Sequence, residues 1–138
     1  MNNYFVIVYL CMLFLHIVDD FYLQGILAQL KQKKWWKENY PDDLYESDYA
    51  IALIIHGFSW SFMIHLPILV YSIITHSILS CDIYFWSIVI NCIFHAIIDN
   101  LKANANHYKI SLTTDQYLHL IQISIVCVFF LCRYFVTK

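Results

Sequence analysis

Histidine and aspartate recur four residues apart at three places: His16 with Asp20, His95 with Asp99, and Asp115 with His119. On a helix this spacing projects both side chains from one face, a turn apart. Gln24 extends the first stripe, and His56 sits in a separate apolar stretch. Brought together, imidazoles and carboxylates form a nitrogen and oxygen donor set that suits Zn, Mn or Fe. We read His16, Asp20, His95, Asp99 and His119 as ligands of a divalent transition metal, with His56 or Asp115 orienting or deprotonating a water. A metal so held lowers the pKa of its bound water and supplies a nucleophile near neutral pH.

Each residue also has a bland reading. Asp115 falls in the first turn of a helix, where the dipole favours an acid. Asp99 and Lys102 are three residues apart and can neutralise one another. Asp19 reads as a flank, because its neighbour Asp20 has the His16 spacing. A single membrane histidine is often an interhelical hydrogen-bond partner. His65 follows His56 by half a helical revolution and points elsewhere, while His76 and His107 fall in loops. Gly57 and Ser61 form a small-residue pair for helix packing. What favours function is the set as a whole, drawn from four helices and gathered at one depth.

The elements that must position these residues are apolar to an unusual degree. The chain of 138 residues is 61% hydrophobic and 13% charged, with a net charge of -2. A water-soluble domain of this size could not hide so much apolar surface, so lipid is the expected solvent. The expected fold is all-α: a single polytopic membrane domain of about four transmembrane helices, near 4–30, 49–74, 83–101 and 114–134. The first would be ~40 Å long, against the ~30 Å hydrocarbon core, and would protrude into the headgroups. Pro67 is expected to kink the second. Thr113 and Gln116 have the spacing of a capping box at the start of the fourth.

Lys31 to Lys37, with Trp35 and Trp36, has the composition of an interfacial anchor. The acids from Asp42 to Asp48 read as a solvated linker, lacking the spacing of a calcium loop. A short break over Thr75, His76, Ser77, Ser80 and Asp82 separates the second and third spans. Lys31, Lys33, Lys34, Lys37, Lys102 and Lys109 lie on one side of the four spans, with Arg133 and Lys138 on the other. The imbalance makes the first side cytoplasmic and puts both termini outside. Met1-Asn2-Asn3 lacks the positive start of a secretory signal, so the first apolar run is expected to stay as a helix. Cys11, Cys81, Cys92, Cys127 and Cys132 show no ligand spacing and are odd in number, and read as small helix residues. No basic cluster suggests nucleic acid. A faint repeat links His16-Asp20 with His95-Asp99 on helices running the same way.

The segments His16-Ile-Val-Asp-Asp-Phe-Tyr-Leu-Gln24, Lys34, His56, His95-Ala-Ile-Ile-Asp-Asn-Leu-Lys102 and Asp115-Gln-Tyr-Leu-His119 resemble domain of unknown function 3307. That family comprises small multi-helix membrane proteins of bacteria and their phages. The resemblance spans nearly the whole chain in four ordered motifs. It implies that His16, Asp20, Gln24, His56, His95, Asp99, Lys102, Asp115, Gln116 and His119 occupy the family's polar positions, and that the membrane is a bacterial inner membrane. The doubled acid Asp19-Asp20 and the long first loop are variations on it. It implies no activity.

Three functions fit these readings. The first is a metal-dependent membrane hydrolase acting on an amphiphilic substrate from the inner leaflet, outside the HExxH and GxSxG templates. The second is a proton- or ion-coupled carrier or channel, which needs a polar lining to both faces and, with four helices, an oligomer; the outer half offers mainly Ser, Thr and His65. The third is a non-catalytic module whose polar cluster locks helices or whose basic stretch docks a partner.

Overall fold

The computed structural model describes residues 3–76 and 80–136, and side chains within them other than those at 3, 131 and 134–136. Met1, Asn2, Ser77 and Lys138, which entered the leader, loop and charge readings, lie outside the described residues. The described residues form helices joined by short loops, with no strand among them. The first helix, α1 (Asn3–Ile17), continues into a π-helical turn (Val18–Leu23). Two short helices follow, α2 (Leu27–Leu30) and α3 (Lys33–Asn39), then a 3₁₀ turn at Asp43–Tyr45. Three long helices complete the chain: α4 (Asp48–Ile74), α5 (Cys81–Asn104) and α6 (Leu112–Val136).

Tyr4–Leu23, Asp43–Ile74 and Cys81–Asn104 are long and apolar enough to cross a membrane. The distribution of residues agrees with lipid as the solvent. Ile7, Phe14, Ile54, Phe58, Phe94 and Ile125 are each more than half exposed, while His16, His56, His65, His95 and His119 are buried. In water this arrangement would leave the apolar face unpaid by any burial, whereas lipid covers it at no cost.

The first helix is shorter than its apolar run. It ends at Leu23, and Gly25 turns the chain with a φ of +50°, a left-handed conformation that glycine adopts without Cβ strain. The chain then folds back beneath the bundle. Lys33 N donates to Asn104 Oδ1 (2.8 Å) and Asn104 Nδ2 donates to the Lys31 carbonyl (2.9 Å), tying this segment to the end of α5. Trp36 Nε1 donates to the Leu30 carbonyl at 2.6 Å.

Helix α4 packs between α1 and α5, and Gly57 sets its approach to α5. A Cβ at Gly57 would stand 2.8 Å from the Cys92 carbonyl oxygen, so only glycine permits this spacing. Pro67 is buried within α4, which runs on to Ile74. Met12, Trp60, Ile64, Ile68, Ile123 and Val126 form the apolar core. The start of α6 is capped otherwise than expected. Thr114 N donates to Ser111 Oγ at 3.1 Å, so Ser111 takes the capping role and Gln116 is free to turn inward.

Candidate metal centre

The C-terminal ends of α1 and α5 meet the N-terminal ends of α4 and α6, and there the polar side chains gather. Asp20, His56 and His95 place one ligand atom each within 4.8 Å of one another; so do His95, Asp99 and His119, and Asp20, Asp115 and His119. The three groups share members and form one cluster. His119 Nε2 lies 3.4 Å from Asp99 Oδ1 and 3.4 Å from Asp115 Oδ1. His56 Nε2 lies 3.2 Å from Asp20 Oδ1 and 3.5 Å from Asp99 Oδ2, and His95 Nε2 is 3.7 Å from the same oxygen.

These atoms are close, yet several make no well-formed hydrogen bond. Neither ring nitrogen of His95, neither of His119, nor Asp115 Oδ1 has a hydrogen-bond partner, although all are buried. Buried polar atoms left so carry the full cost of lost water. Ligands at ~2.0–2.2 Å from a common ion stand about 3.0–3.6 Å apart; the contacts of His56 and His119 fall in that range, and His95 Nε2 at 3.7 Å lies just outside it. His56 Nε2 has Gln24 Nε2 at 2.9 Å besides its two carboxylate neighbours. One ring nitrogen, with one proton or one lone pair, cannot serve all three.

His16, expected as a ligand, stands apart from all three groups. Trp60 Nε1 donates to His16 Nδ1 at 2.7 Å, and an indole N–H can only donate. His16 therefore carries its proton on Nε2 and donates to Gln116 Oε1 at 3.0 Å. The Gln116 amide in turn donates from Nε2 to Asp20 Oδ2 at 2.9 Å. Both nitrogens of His16 are engaged, and its role is to orient Asp20 through Gln116. His56 and Asp115, expected to handle water, both stand among the ligand groups.

Asp19 is no flank. In the π-helical turn successive residues lie closer in angle than in an α-helix, and both acids face inward. Asp19 is 1% exposed, accepts from Ser59 Oγ at 2.6 Å, and places Oδ2 3.5 Å from His56 Nδ1. A carboxylate behind a ligating imidazole fixes the ring and raises its basicity. The lysines also depart from expectation. Lys31 is buried and pairs with Asp99 Oδ2 instead of standing in the headgroups. Lys102 reaches Asp115 Oδ2 at 2.6 Å, not Asp99. Four carboxylates thus face two ammonium groups, and with neutral imidazoles the cluster has a formal charge of -2. Asp19 and Lys31 escaped sequence reading because the α-helical period does not hold through Val18–Leu23 or past Gly25.

Polar contacts continue toward the far end of α4. His65 is fully buried, with Nδ1 against the Ser61 carbonyl and Nε2 against Ser87 Oγ, both at 2.7 Å. Asn91 Nδ2 donates to the Ser87 carbonyl at 2.9 Å, and Gln122 Nε2 to the Asn91 carbonyl at 2.8 Å. His65 is satisfied within the protein and serves to join α4 to α5.

No protein family, curated protein or solved structure matches this chain. The reading of its chemistry rests on the cluster itself.

Proposed function

We propose that the chain is a membrane-embedded, metal-dependent hydrolase acting on an amphiphilic substrate from the cytoplasmic leaflet. Asp20, His56, His95, Asp99, Asp115 and His119 would hold the ion, drawn from Zn, Mn or Fe. One observation carries the reading: the ring nitrogens of His95 and His119 are buried without a well-formed hydrogen bond and face carboxylate oxygens 3.4–3.7 Å away. The ion would activate water, the chemistry that makes such a site hydrolytic. Asp19 and His16 would hold the ligands in position, the first behind His56 and the second through Gln116. The cluster carries more acid than base, which favours a bound cation.

The membrane setting belongs to the same proposal. The α6 helix would be a fourth span, ~37 Å long, with Ile121, Ile125 and Val128 facing lipid. Both termini would lie outside a bacterial inner membrane, as the lysine distribution favours. Membership of the domain of unknown function 3307 family is part of this proposal, carried by the four motifs.

Metal analysis of protein purified in detergent without chelator tests the reading. At least one equivalent of transition metal per chain is expected, lost on dialysis against a strong chelator. Metal-free protein that also binds no added Zn, Mn or Fe would end it.

A further inference from the structure

Resting on that reading, we infer that the cluster holds two metal ions bridged by Asp99, and that the substrate presents a phosphate group to them. The two oxygens of Asp99 face different partners. Oδ2 is shared by His56 Nε2 (3.5 Å) and His95 Nε2 (3.7 Å), with Asp20 Oδ1 completing that side 3.2 Å from His56. Oδ1 faces His119 Nε2 at 3.4 Å, and His119 is matched at 3.4 Å by Asp115 Oδ1. Each side thus has an oxygen of Asp99, at least one imidazole and a second acid. A carboxylate giving one oxygen to each of two ions is how paired sites roughly 3.5–4 Å apart are held.

The lysines fit this arrangement. The Lys31 ammonium pairs with Asp99 Oδ2, where a cation of the first half would draw its ligand. Lys31 arrives on the segment that turns at Gly25, outside the long helices, so an ion would displace its side chain from Asp99 without displacing a long helix. Two divalent ions balance Asp19, Asp20, Asp99 and Asp115. Lys31 and Lys102 are then left without their acids, two positive groups beside the ions. Lys102 is the more accessible, its side chain 34% exposed. A doubly charged phosphate on an amphiphile is the group such a site accepts: its oxygens are ligands for paired ions and acceptors for lysine. Hydrolysis there would join a water oxygen to phosphorus and break the phosphorus bond to the ester oxygen. One proton of the water would pass to the departing alcohol, and the other would stay on the released hydrogen phosphate.

The test uses the full chain in detergent, stripped and then titrated with Mn²⁺. Wild type is expected to bind two ions per chain and to give the electron paramagnetic resonance spectrum of an exchange-coupled pair. Inorganic phosphate should change that spectrum, and Lys102→Gln should weaken the phosphate effect about tenfold, the loss of one charge-assisted bond, with two ions still bound. Asp115→Asn should leave one uncoupled ion. One uncoupled ion in wild type would overturn the pair and leave the metal reading standing; no bound ion would overturn both. A coupled pair indifferent to phosphate would overturn the substrate assignment.

Discussion

At the scale of the residue, the cluster depends on groups outside the proposed ligand set. The chain from Trp60 through His16 and Gln116 to Asp20 works only if each member donates in one direction, and the indole sets that direction. Trp60 also stacks on His95, with ring centres 4.2 Å apart, and so fixes a second ring of the site. Supporting partners of this kind are worth about 10–100-fold in metal affinity. His16→Leu breaks the relay while leaving every proposed ligand in place. Its metal affinity, measured by competition with a chelating dye, should fall within that range with helix content unchanged. An affinity equal to wild type would show that the relay does not position Asp20.

At the scale of the element, close helix approach is what brings His56 to His95, whose ring centres lie 4.9 Å apart. Gly57 is next to His56 and packs against α5 at the Cys92 carbonyl and Ala96. Gly57→Ala would drive a methyl group into the Cys92 carbonyl, and overpacking of this kind costs about 1–3 kcal/mol. Thermal unfolding in detergent should register that loss, together with weaker metal binding; an unchanged melting temperature would mean the helices separate freely. The same scale explains what could be read from sequence. Apolar length marked the long helices, and the four-residue spacing placed His95 with Asp99 and Asp115 with His119 because α5 and α6 are regular there. The spacing misled where the backbone departs from the α-helix. It assigned His16 as a ligand and Asp19 as a flank, and it carried the first helix past Gly25. Lys31 looked like one of several interfacial lysines, since nothing local marks the one that tertiary folding draws inward.

At the scale of the whole molecule, the polar residues lie inside and the apolar ones outside, so stability hinges on how the interior charge is met. Lipid offers no water to the four carboxylates, and only Asp99 and Asp115 have a lysine each. An unpaired buried charge destabilises, and an ion that binds only the folded bundle removes that penalty. Binding at a hundredfold excess over Kd stabilises by about 2.7 kcal/mol, so the melting temperature of stripped protein should climb with added metal. Asp20 is the informative position: it lies against His56 and accepts from the Gln24 and Gln116 amides, and no lysine faces it. Asp20→Asn should bring metal-free stability within about 1 kcal/mol of wild type, the worth of one ordinary hydrogen bond, while shrinking the rise that metal produces. Were the variant to lose the same stability with and without metal, the cluster would be helix glue, and the non-catalytic module would be the better account of this protein.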